Sequence, residues 1–237
     1  MKNLNGEWAP GEGIFETIRV EDGQIFGLHR HHCRAKEAAA TLGFEIPAED
    51  EVKAATDLVI SKENYSLARL RLKFKRNGEL GIEYEPYEEP ITPSKLMIFD
   101  RKNPDFELRF KEYPYKNYEI LEFAKTKGFD DAILIAPDDQ VAETSMATLA
   151  LKIDGKWSTP PLSAGILNGV VRALCIESDL LQVRKVMSNE LVKVESALLL
   201  SSLRNAQNVG VIAGRELTID NEKRNEIHRL MAGFKGR

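Results

Sequence analysis

Cysteine is scarce in this chain: Cys33 and Cys175 are the only two among 237 residues. Two thiols cannot make a disulfide framework, so a stapled secreted domain is not expected and the cytoplasm is the default compartment. Long apolar runs are missing too. None approaches the ~20 residues of a membrane helix, and the opening MKNLNGEWAPGEG lacks the apolar stretch of a signal peptide. Nor does charge of one sign dominate. Lys and Arg number 33 against 37 Asp and Glu, a net charge of −4 with both signs mixed along the chain. That balance predicts neither a nucleic-acid nor a membrane partner. Three of the four histidines, His29, His31 and His32, crowd one stretch. Neither they nor the cysteines show zinc-type spacing, so no metal is expected. There is no internal repeat and no low-complexity segment.

What is present reads as a folded protein. The composition is 43% hydrophobic and 30% charged, and the length suits one large domain or two small ones. Residues 13–28, GIFETIRVEDGQIFGL, alternate apolar and polar around Asp22-Gly23 and predict a hairpin. A helix is expected from about His29 to Leu42 with Gly43 as its stop, and another over Glu49–Ser61. SLARLRLKFKRNGELGIEYEPY predicts two strands around Asn77-Gly78, and KLMIFD one more. The polar segment Arg101–Asp105 is the candidate linker. Beyond it, FELRFKEY predicts a strand, followed by a helix with Asn117 as N-cap and Gly128 as its terminal glycine. DDAILIA and VAETSMATLALKI each predict one strand. Helices are expected near Asn168-Gly169 and over Glu222–Met231. Strands and helices mixed in both halves suggest two α+β lobes, and a cleft between lobes is a usual place for a ligand.

The stretch Val141–Arg172 raises a chemical question. It sets a lone Glu at the end of an apolar strand, then a Trp-Ser-Thr-Pro-Pro loop and a glycine-marked helix start. Packing does not require that set, whereas a bound anion or cofactor would use it.

In order and over almost the whole chain, the sequence resembles the class IV aminotransferase family. GEGIFETIRVEDGQIFGLHRHHCRAKEAAATLGF is similar to the family's opening, with His31 and Arg34 as its His-x-x-Arg pair. GFDDAILIAPDDQVAETSMATLALKIDGKWSTPPLSAGILNGVVR resembles its central signature. The fold this implies is α+β, a two-lobed fold-type IV enzyme like the D-amino acid aminotransferases. Its small N-terminal lobe would be residues 1–100, its linker 101–105, and its larger C-terminal pseudo-barrel lobe 106–237. The cofactor implied is pyridoxal 5′-phosphate, which needs a lysine for its aldehyde, an acid for its ring nitrogen and a cradle for its phosphate.

The resemblance assigns these parts residue by residue. Glu143 is the acid. The backbone amides of Val170 and Val171 hold the phosphate at a helix start, where unpaired N–H groups suit a dianion. Gly169 lets the backbone approach, and Arg34 and the Ser202 hydroxyl add contacts. Lys111 is the lysine, with Lys116 as the alternative because the segment is one residue short of the common pattern. Its alternation places Lys111 with Glu107 and Arg109 on a polar face. Tyr115 would meet the cofactor's ring hydroxyl, or else pack in the core. Substrate residues are sought at Phe15 and Arg19 on the hairpin and at Arg76, near the basic Lys73 and Lys75. Those charges suit a dicarboxylate, or are the exposed face of a strand.

The short chain fits the compact aminodeoxychorismate lyases of folate biosynthesis. The alternatives are a branched-chain or D-amino acid aminotransferase, or a member that no longer catalyses and only binds a ligand or partner. Thr148, where many relatives have Asn, keeps the last open. The family's usual homodimer is the expected assembly.

Overall fold

The computed structural model describes residues 11–100, 111 and 117–236. The chain divides into two compact units. The first is built on the residues up to Glu88, with Lys111 and the chain end from Phe234. The second is built on the other described residues between Glu89 and Gly233.

The first unit carries a four-stranded antiparallel sheet. Strands β1 (Gly13–Glu21) and β2 (Gln24–Ile25) form the expected hairpin. Asp22 and Gly23 both take positive φ, 47° and 76°, which suits the right-handed twist of a two-residue turn. Helices α1 (Leu28–Thr41) and α2 (Glu49–Ile60) follow, then β3 (Leu67–Lys75) and β4 (Leu80–Pro86), giving the order β2-β1-β3-β4. One face packs Ile14, Ile18 and Val20 with Ala68, Leu70, Leu72 and Phe74 against Ala35, Ala38 and Ala39 of α1 and Val52 of α2. By the same two-residue period, the other face carries Phe15, Thr17 and Arg19 beside Lys73, Arg71 and Arg69.

The second unit holds a nine-stranded mixed sheet. It uses β5 (Ser94–Asp100), β6 (Asp131–Ile135), β7 (Val141–Thr144), β8 (Thr148–Ile153), β9 (Lys156–Thr159), β10 (Gln182–Val183), β11 (Ser196–Ser201), β12 (Asn205–Ile212) and β13 (Arg215–Glu216). The order is β10-β9-β8-β11-β12-β5-β6-β7, with β13 on β12. KLMIFD, read as following the first hairpins, is β5, and it pairs in parallel with β6 and β12 of this larger sheet. Its helices are α3 (Asn117–Thr126), α4 (Val170–Glu177) and α5 (Asn221–Ala232). Leu149, Leu151, Leu199, Val209, Leu96 and Ile133 anchor its main core. Ala124 of α3 closes a smaller one with Leu134 and Ile166.

Two expectations need correction. VAETSMATLALKI is not one strand but β7 and β8, broken at Ser145–Ala147. Asp131 on β6 makes the break: its carboxylate accepts Thr144 Oγ1 at 2.9 Å, the Ser145 amide at 3.0 Å, and the Ser145 hydroxyl. The Trp-Ser-Thr-Pro-Pro loop is mostly β9, because Trp157 and Ser158 pair with β8. Only the two prolines, which lack the N–H a ladder needs, leave the sheet. The strand expected over 106–113 lies outside the described residues except at Lys111.

Candidate active site

In the first unit the site grows from Glu16. It lies on β1 between Ile14 and Ile18, opposite Leu72, on the apolar face of the sheet. A carboxylate there must be matched, and α1 matches it. Arg34 donates to both its oxygens, Nε to Oε1 at 2.9 Å and Nη2 to Oε2 at 2.5 Å. His31 Nδ1 meets Oε2 at 2.7 Å. His31 and Arg34 stand three residues apart, so one helical turn brings both to the same acid. Burial pushes the Glu16 carboxyl up, but the Arg34 charge and the His31 hydrogen bond outweigh it and hold it well below the usual carboxylate range. Burial pushes His31 down; the Glu16 bond opposes this, while the Arg34 and Lys111 charges add to it. The imidazole is therefore neutral, its Nδ1–H donating to an ionised Glu16 and its Nε2 left as the acceptor nitrogen.

Lys111 joins the opposite face. Its carbonyl accepts the Phe15 amide at 3.0 Å, and its Nζ lies 5.6 Å from the centre of the Phe15 ring. The Arg71 guanidinium lies 5.1 Å from the same ring. Arg71 is 5% exposed, and its Nε finds no hydrogen-bond partner among the described residues. The other bases of β1 and β3 on this face are matched by acids: Arg19 by Glu21 at 2.6 Å, Arg69 by Glu85 and Lys73 by Glu83. The sequence reading missed Arg71. Alternation placed it on the right face, but nothing along the chain says that Glu83, its register partner on β4, goes to Lys73 instead.

Arg76 is committed elsewhere. It donates to the carbonyls of Gly11 and Leu42, both at 2.6 Å, and lies 5.1 Å from the Phe44 ring. That ties the loop, α1 and the segment after it together, so we give Arg76 no part in the site. Lys75 is likewise held by Glu79 at 2.9 Å and Glu12 at 3.4 Å. Tyr115 and Lys116 lie outside the described residues.

In the second unit Glu143 stands near the end of β7 and is 3% exposed. The Leu167 amide donates to its Oε2 at 3.3 Å. Arg172 on α4 is also buried. Burial lowers its pKa, and the Glu143 charge opposes that shift. Arg172 Nη2 donates to the Pro160 carbonyl at 2.8 Å, while its Nε and the Thr159 hydroxyl have no partner among the described residues. Val170 and Val171 open α4 after Gly169, with no side-chain cap; the first hydrogen bond into the helix is from the Ala173 amide to the Gly169 carbonyl, at 2.9 Å. A Cβ on residue 169 would stand 2.8 Å from Thr148 Oγ1, so glycine is required and the departure at Thr148 packs against it. Ser202 sits in the turn between β11 and β12. Burial pushes the Cys175 thiol up to about 12, so it offers no nucleophile.

Comparison with known proteins settles the class. The architecture matches a fold IV transaminase of Curtobacterium pusillum with a TM-score of 0.82 at 21% identity, covering 97% of this chain and 92% of that one. The mixed α+β fold is therefore fold-type IV. The sequence matches the family described as amino-transferase class IV over residues 13–212, and the chain belongs to that family. Its cofactor is pyridoxal 5′-phosphate, and it is an enzyme, a lyase or an aminotransferase. The residues present fit that group: a helix start behind a glycine with no side-chain cap, a buried acid with a buried arginine close by, and buried donors with no partner among the described residues. A provisionally named aminodeoxychorismate lyase of Schizosaccharomyces pombe is 26% identical over 175 residues, 70% of this chain and 73% of the relative. A provisionally named branched-chain-amino-acid aminotransferase of Methanocaldococcus jannaschii is 28% identical over 193 residues, 70% of this chain and 65% of the relative. The chain thus spans about two thirds of the length of these curated relatives. Among the described residues no helix is long and apolar enough to cross a membrane, and no group of His, Cys, Asp or Glu is placed to hold a metal ion.

Proposed function

We propose that this enzyme is an aminodeoxychorismate lyase, releasing pyruvate and leaving 4-aminobenzoate for folate biosynthesis, and that it works as a homodimer in the cytoplasm. The observation that carries this reading is the Phe15 ring with the Lys111 amine at 5.6 Å and the Arg71 guanidinium at 5.1 Å. The proposed reacting amine and a carboxylate receptor flank one aromatic ring, which suits a substrate bearing an amine and carboxylates. Arg71 pairs with a substrate carboxylate in place of a protein acid. Arg19 lies on the same face, held by Glu21.

When bound, pyridoxal phosphate supplies an electron-withdrawing ring to the substrate. Lys111 would bond the cofactor's aldehyde, and its amine, when free, would move a proton as general base. Glu143 would pair with the ring nitrogen and keep it protonated, with the Arg172 charge close by. The amides of Val170 and Val171 and the Ser202 hydroxyl would hold the phosphate, and the family resemblance adds Arg34 to them and assigns Tyr115 to the ring hydroxyl. Elimination divides the substrate into pyruvate and the aromatic amine with no second reactant.

A second reading, a branched-chain or D-amino acid aminotransferase, is favoured by one fact: Arg19, Arg69 and Lys73 all have acid partners, which leaves Arg71 for a single α-carboxylate. The holoenzyme should release pyruvate from aminodeoxychorismate without any keto acid. If it instead needs a keto acid and passes an amino group to it, the transaminase reading replaces the lyase. In either case Arg71→Leu should lower kcat/KM roughly 10²-fold, the value of a charge-assisted bond. Light scattering should give twice the chain mass, and a monomer with full activity would sink the dimer.

A further inference from the structure

Glu16 has no place in the steps above, yet it is among the most tightly held groups of the first unit. Its register neighbours on that face are Ile14, Ile18 and Leu72, and an apolar side chain would fill the position without desolvating any charge. Replacing a buried ion cluster by apolar residues is often neutral or stabilising, so a cluster kept there calls for a reason other than stability. The geometry supplies one. Arg34 is gripped along its Nε–Nη2 edge, at 2.9 and 2.5 Å, and His31 braces the same carboxylate at 2.7 Å from one turn earlier on α1. A guanidinium has five N–H groups in a rigid plane. With one edge fixed, the plane and the remaining Nη1 are fixed as well, and a floppy side chain becomes an aimed donor.

We propose that Glu16 is a positioning residue: braced by His31, it locks the guanidinium of Arg34 in the orientation that receives the cofactor's phosphate. This rests on the reading of Arg34 as a phosphate ligand. Glu16 touches neither cofactor nor substrate and acts through Arg34 alone.

The test compares pyridoxal phosphate with pyridoxal, which lacks the phosphate. Each is titrated into the full-length apoprotein and followed by quenching of tryptophan fluorescence. In Glu16→Gln the amide keeps the shape but turns one acceptor oxygen into a donor, so it breaks one side of the fork whichever way it lies. The expected result is about a 10-fold loss of affinity for pyridoxal phosphate, the usual effect of an outer-shell partner, with pyridoxal unchanged. Arg34→Ala should lose roughly 30-fold for pyridoxal phosphate alone. Glu16→Asp keeps the charge but shortens the reach; it should fall between wild type and Glu16→Gln, and it carries the test if the amide variant does not fold. If Arg34→Ala loses the preference for the phosphorylated form while both Glu16 variants keep it in full, the inference is wrong and the Arg34 reading stands. Glu16 variants that weaken both ligands equally would reduce Glu16 to a structural role. If Arg34→Ala keeps the full preference, Arg34 is not a phosphate ligand and the inference falls with it.

Discussion

Lys111→Ala is expected to lose turnover by about 10⁴-fold, the upper range for a positioned acid–base group, and to bind pyridoxal phosphate without bonding to it. The argument begins with the neighbours of Lys111. Its carbonyl is tied to the Phe15 amide, its Nζ lies over the Phe15 ring, and its charge reaches His31. The Arg71 guanidinium lies 5.1 Å from the same ring, which sets the amine near the proposed carboxylate receptor. Borohydride treatment of the wild-type holoenzyme should fix the cofactor permanently to the peptide that holds Lys111. The variant should show no fixed cofactor while keeping its thermal unfolding midpoint, because a half-buried lysine contributes little to the core. If the variant is still labelled, the label must lie on another lysine, with Lys116 the first to examine, and the assignment moves there. A wild-type protein that takes no label and no colour would return the question to a family fold that only binds.

Glu143→Gln is expected to fold, to keep the cofactor, and to lose about 10²-fold in kcat, as when one preorganised electrostatic contact is removed. The amide can still accept the Leu167 N–H, which meets the carboxylate at 3.3 Å, so the end of β7 stays in place. What disappears is the charge. Arg172, 4% exposed, then loses the group whose charge offsets its burial. The variant should therefore also be destabilised, by about 1–3 kcal/mol. Two readouts separate the effects: urea unfolding of the apoprotein reports the Arg172 loss, and the visible spectrum of the loaded protein across pH reports the ring nitrogen. A Glu143→Gln enzyme with wild-type kcat and an unchanged spectrum would show that Glu143 is only a strand-end residue. Glu143→Asp should restore part of the rate, because the charge returns on a side chain one methylene shorter.

The amino-acid sequence alone determined the local pieces. Asp22-Gly23 fixed a hairpin turn because few other dipeptides accept positive φ at both positions. The spacing of apolar residues marked α1 and α2, and Glu49 began its helix where expected. The two-residue period marked β1 and β3 as strands with alternating faces. The order of motifs sufficed for the family. Tertiary structure decided the rest. It placed KLMIFD in the larger sheet, since strand membership depends on distant partners such as β12, which no local pattern names. It cut the apolar run 141–153 in two, because the acceptor that stabilises the break, Asp131, arrives on another strand. It also reversed the standing of the basic residues. In the sequence Lys73, Lys75, Arg76 and Arg71 are equivalent positive charges. In the fold the first three are matched by Glu83, by Glu79 and by main-chain carbonyls, and the Nε of buried Arg71 has no partner among the described residues. Periodicity tells which side chains share a face; only the packed strands tell which acid neutralises which base, and which base is left to meet a ligand.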